Sequence, residues 1–185
     1  MRRNRRFNLG NFLYLEWCKP IFDYYSTLKF KYFTFEILFP VIIGILCTVI
    51  YEKIEKVGIA LNALSDLMPT AISILIGFTT MLITLLLTSS GENIDRLKRL
   101  NTNQELNGEP LSLYQSLHIQ FSHSLFSEII FLILILFYLF LKGFSLPSCV
   151  LNILLAVFIY CTLNILLSIL RGIANIYFSF YNNGN

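Results

Sequence analysis

Few side chains in this sequence have types and spacing that could do chemistry. His118 and His123 are five residues apart. On a helix they fall on different faces, unlike the i, i+4 histidines of a HExxH zinc site. Ser122, Ser124 and Ser127 surround His123 and could be imagined as nucleophile and base, but no nucleophile elbow frames them. Cys18, Cys47, Cys149 and Cys161 form no CxxC pair, and a free cysteine in an apolar run behaves as a small hydrophobe. There is no phosphate-binding loop, no GxGxxG and no long repeat. Catalysis, a cofactor and a metal ion are therefore not expected. What remains is a set of polar groups inside apolar runs, Glu36, Glu128 and Asn164. Ionisable residues in such runs are functional candidates by default. Glu36 and Glu128 fall near one end of their runs, within reach of interfacial water, and Glu128 is read as lying close to a helix start, where a carboxylate is favoured. An Asn in a bundle usually bonds a neighbouring helix.

The apolar runs themselves dominate the chain. Of 185 residues, 56% are apolar, 15% aromatic and 14% charged, and the mean hydropathy is +0.67. A soluble domain carries about 25% charged residues, so a water-soluble globule is excluded. Four stretches approach the roughly 20 residues that a membrane helix needs: about 34–51, 67–88, 125–141 and 149–170. They are continuous rather than alternating, which favours helices over a β-barrel. The expected fold is all-α, an integral membrane four-helix bundle, as a membrane domain over 34–180 with a short tail at 181–185. Pro40 can kink the first span, and Pro69 is placed in the first turn of the second. The first run begins about thirty residues in, with no A-x-A-type site after a short apolar stretch, and reads as a retained signal anchor.

Orientation follows from Lys and Arg near the span ends. With both termini inside, eleven basic residues lie in the cytoplasm and three outside. The expectation is N-in, C-in, multi-pass, in a bacterial inner membrane. Residues 1–33 mix Arg2, Arg3, Arg5 and Arg6 with many aromatics and read as an interfacial juxtamembrane segment, partly helical before Pro20, with membrane lipids as its partners. Direct nucleic-acid contact is not expected. Residues 89–124 form the one sizeable cytoplasmic insertion. Ser89 and Glu92 have capping-box spacing, and a polar, Asn- and Gly-rich tip follows. An apolar stripe (Leu111, Tyr114, Leu117, Phe121, Leu125) then runs into the third span. The expectation is a helical hairpin extending spans two and three, with Arg96, Lys98, Arg99 and Tyr114 contacting a cytoplasmic protein partner.

Span two carries the most informative pattern. Asp66, Thr70, Ser73, Gly77, Thr80, Thr84 and Thr88 step by three or four and share one helical face. Small and hydroxyl residues permit close helix approach in lipid, so the stripe is a packing seam, within the bundle or between subunits of a homo-oligomer. The alternative is a pore or water-filled cavity lined by hydroxyls, as in a channel-forming effector. Span one shows a shorter small-residue seam at Pro40, Gly44 and Thr48. Span four has polar residues on one face at Cys161, Asn164, Ser168, Gly172 and Asn175. Span three, nearly pure Leu, Ile and Phe after Glu128, is expected to face lipid.

The stretch GFTTMLITLLLTSSGENIDRLKRL, from Gly77 to Leu100, resembles small bacterial membrane proteins of defence islands. Chain size and four spans are similar to the membrane subunit of the Kiwa anti-phage system. That resemblance implies a non-enzymatic, oligomeric membrane sensor or anchor for antiviral defence, working with a cytoplasmic DNA-binding partner. No binding residue carries over from it.

Overall fold

A computed structural model describes residues 19–181 apart from Asn107. The basic stretch at Arg2–Arg6 lies outside the described residues. Helix α1 (Lys19–Thr27) and the short α2 (Phe30–Phe33) lead through a π-helical turn (Thr34–Leu38) into α3 (Phe39–Lys53). Then come α4 (Val57–Thr88), α5 (Glu92–Arg99), strands β1 (Asn101–Leu106) and β2 (Glu109–Ser112), α6 (Leu113–Leu141) and α7 (Ser148–Tyr181). Four helical segments are long and apolar enough to cross a membrane: Phe30–Lys53, Val57–Thr88, Leu113–Leu141 and Ser148–Phe178. The chain is a multi-pass membrane protein by the length and composition of these helices.

Each span is longer than its hydropathic run. Span two begins at Val57, so Pro69 lies inside α4 and not in its first turn. Span three begins at Leu113, so Glu128 lies mid-helix and fully buried, not near a helix start. Hydropathy sees only the oily part of a helix; backbone hydrogen bonding carries it on through polar sequence.

The spans pack in the order α4, α6, α7, α3, with α4 also touching α7. On α4 the inward positions are Leu61, Ser65, Met68, Ile72, Leu75, Thr79, Leu82 and Leu86. They alternate steps of four and three, the knobs-into-holes spacing of supercoiled helices. Span three does not simply face lipid. Phe131, Ile135 and Tyr138 are buried between α4 and α7, while Ile133 and Phe140 point outward. On α3 the buried residues are Pro40, Gly44 and Thr48, the short seam read from the sequence. Gly44 is required there: a Cβ would lie 2.8 Å from the Ala156 carbonyl oxygen of α7.

The 89–124 insertion is a helical hairpin in one arm only: α6 begins at Leu113 and runs unbroken into span three, as the apolar stripe anticipates, while the first arm and the tip differ. Helix α4 stops at Thr88, Gly91 takes φ +119, and α5 starts without a side-chain cap, so the Ser89–Glu92 box does not form. The polar tip is instead an antiparallel β-hairpin, with Leu106 opposite Glu109. Asn-Gly between two strands is a strong two-residue hairpin signal, and Gly108 supplies φ +83. The all-α expectation thus gains a two-stranded element. A capping box does form one step later, at Ser112 and Gln115, where α6 begins. Helix α1 starts at Lys19 with Pro20 in its first turn and packs on α6, so it belongs to the bundle as well as to its edge; the helix expected before Pro20 lies outside the described residues.

Gly44→Ala should lower stability to denaturation in mixed micelles by about 1–3 kcal/mol, the range for overpacking. Gly58→Ala, in the first turn of α4 and also with open space around its Cβ, should be neutral or slightly stabilising.

Candidate functional site

Polar side chains gather where α1 and the start of span one meet α6 and α7. The cause is local. Pro40 has no N–H to give the Glu36 carbonyl four residues back, and the chain widens there into a π turn, with Phe39 N–H donating to the Thr34 carbonyl. Asn164 of α7 answers the freed carbonyl: its Nδ2 donates to Glu36 O at 2.7 Å. π turns of this kind often mark functional sites.

The Glu36 side chain is 2% exposed. Arg171 Nε lies 2.9 Å from Glu36 Oε1, an ion-pair distance without hydrogen-bond alignment. The Tyr24 hydroxyl donates to Glu36 Oε2, and Arg171 Nη2 donates to the same hydroxyl at 3.3 Å. The guanidinium also sits over the Tyr32 ring, 4.6 Å from its centroid. Behind Tyr24, His123 stacks face to face, with ring centroids 3.7 Å apart. Four segments of the chain thus meet at one charge pair.

Further polar contacts tie α6 to its neighbours. Thr79 Oγ1 donates to Glu128 Oε1 at 2.8 Å, joining α4 to α6, while Glu128 Oε2 has no partner. Gln120 Nε2 donates to the Ser168 carbonyl at 2.6 Å, and Ser124 Oγ to Ser168 Oγ at 3.1 Å. The three intramembrane polar candidates therefore divide: Glu36 and Asn164 come together, and Glu128 works elsewhere. Arg171, one residue past the apolar run at 149–170, completes the first group. Its signal was present, because it lies seven residues past Asn164, on the polar face of span four.

Ser127 Oγ lies 3.5 Å from His123 Nε2, and His123 Nδ1 is buried without a hydrogen-bond partner. A nucleophile and base need a third group to orient the imidazole, and none holds Nδ1 among the described residues.

The span-two stripe lies elsewhere. Asp66, Thr70, Ser73, Gly77, Thr80, Thr84 and Thr88 are all exposed, roughly 150° around α4 from its buried seam at 100° per residue. It is not a seam within the bundle. Two of its hydroxyls bond their own helix, Ser73 to the Pro69 carbonyl and Thr88 to the Thr84 carbonyl. Asp66 pairs with Lys142 at 3.1 Å.

The proposed contact residues sit on a platform made by α5 and the hairpin. Ile94 and Leu97 of α5 pack inward with Leu86, Leu117 and Phe121. Lys98 and Arg99 are exposed, Arg96 is half-buried, and the Lys98 ammonium sits 5.4 Å from the Tyr114 ring centroid. The basic groups occupy the last turn of α5 and Glu92 its first, as the helix dipole favours.

No family model matches the chain, and comparison with the curated proteins and the solved structures finds no match.

Arg171→Leu leaves the Glu36 carboxylate buried and unpaired, and should cost about 3–5 kcal/mol in mixed-micelle denaturation. Adding Glu36→Gln should recover much of that loss. Additive losses in the double variant would show that the pair is not coupled.

Proposed function

We propose that the chain is a non-enzymatic, oligomeric membrane module, with the outward stripe of α4 as the seam between copies and the α5–hairpin platform as the contact for a cytoplasmic protein. The outward direction of the stripe carries this reading. The opposite face of α4 already fills its own bundle, so the small and hydroxyl residues are left for another molecule. Gly77 has open space over it, which admits the close approach of a second backbone. Basic residues support N-in, C-in: Lys29, Lys31, Arg96, Lys98, Arg99 and Arg171 mark the platform end, against Lys53, Lys56 and Lys142 at the other. The resemblance of Gly77–Leu100 to defence-island proteins supports a sensor or anchor subunit of a bacterial anti-phage system in the inner membrane.

A pore is the second reading, favoured by the same hydroxyls. Because they face outward, a pore requires several copies around an axis, with each α4 turned toward it. Oligomer mass and ion flux separate the two. The full chain should run as an oligomer in mild detergent, and Gly77→Leu with Thr84→Leu should shift it toward monomer without loss of helix. A monomeric parent protein would overturn both readings. Liposome conductance abolished by Thr80→Leu would favour the pore, and absence of conductance the packing seam.

A further inference from the structure

A cavity of about 440 Å³ lies between the start of span one and the far end of α7. This is within the range of small-molecule sites, roughly 300–1,000 Å³. Its walls are of two kinds. Phe35, Leu167, Leu170 and Ala174 make an apolar side, and Lys31, Tyr32, Glu36 and Arg171 make a polar end. Phe35 is 62% and Leu170 59% exposed, so the apolar side opens laterally, where hydrocarbon would be. Across Tyr32 and Arg171 lies a smaller cavity of about 160 Å³, lined by polar groups that include Lys29, Gln104 and Asn175. The two spaces share the Tyr32–Arg171 wall.

We propose that this paired cavity binds one anionic phospholipid, with an acyl chain along Phe35, Leu167, Leu170 and Ala174 and its phosphate held by Lys29, Lys31 and Arg171. Charge complementarity selects the occupant. Glu36 is the one acidic residue lining either cavity among the described residues, and its carboxylate is taken by Arg171 and Tyr24. That leaves the two lysine charges uncompensated beside a guanidinium group that lines both cavities. A phosphate accepts from such donors with charge-assisted bonds, and basic groups at a membrane surface attract anionic headgroups. A zwitterionic lipid offers the same tail but brings its own cation to the lysines. A soluble anion fits the polar end and leaves the apolar wall unfilled. No residue of α4 lines the cavity, so lipid occupancy is independent of whether the stripe joins copies.

Native mass spectrometry of the full chain, released from nanodiscs of mixed phosphatidylcholine and phosphatidylglycerol, tests this. The expected result is one retained phosphatidylglycerol per chain, preferred over phosphatidylcholine by roughly tenfold. Lys29→Gln with Lys31→Gln, both exposed positions, should remove that preference. Lys53→Gln with Lys56→Gln, at the opposite end, should keep it. Ala174→Trp should expel the lipid by filling the apolar side while leaving every lysine in place. Four outcomes would each overturn the proposal: equal retention of the two lipids, equal loss in the two lysine pairs, unchanged retention in Ala174→Trp, and displacement of the lipid by millimolar inorganic phosphate.

Discussion

A carboxylate and a guanidinium withdrawn from water must find each other, and the molecule is organised around that requirement. Each charge alone would cost several kcal/mol to bury. Together Glu36 and Arg171 fix the start of span one against the end of span four. Their unused hydrogen-bonding capacity draws in Tyr24 from α1, and Tyr24 in turn covers His123 of α6. Asn164 secures the same turn through its backbone. Remove the pair and the groups that converge here lose their reason to do so. The aliphatic seam of α4 and α6 lacks that directional character: it determines that the helices associate, while the charge pair determines where two of them stop.

Proline explains why the pair sits where it does. Pro40 and Glu36 are one helical turn apart, and the missing N–H at one is the free carbonyl at the other. The π turn widens the helix at this point and is answered by an amide from another span. Backbone groups in hydrocarbon cannot turn to water, so a proline on a membrane helix specifies a partner. The nearby cavity is another product of the same irregularity, since Phe35 and Glu36 both belong to the π turn.

Much of the architecture was legible from hydropathy alone, since four long apolar runs leave few alternatives. The ends of the spans were not. Val57–Asp66 is interrupted by Gly58, Asn62, Ser65 and Asp66 and so falls outside the oily run, while Leu113–Ser124 is too polar to register as oily and shows its helix only in the apolar stripe that runs into span three. The hairpin was legible in Asn107-Gly108 but was obscured by polar neighbours that suggest a loose tip. The stripe on α4 was found residue by residue, and its direction was not, because periodicity says that two faces differ without saying which one meets the bundle. Arg171 was hidden for another reason. A charge just past an apolar run looks like the edge of the membrane, and its partner lies far away along the chain.

The two faces of α4 have one more property in common. Inward positions from Leu61 to Leu86 alternate four and three, and outward positions from Asp66 to Thr84 do the same. A rhythm of 3.5 residues does not match a straight helix of 3.6, and a left-handed supercoil is what keeps such a seam in register. If α4 winds to stay against α6, the polar stripe on its back winds with it at the same pitch and stays a continuous band. A neighbour engaging that band would therefore inherit its handedness from a partnership it takes no part in.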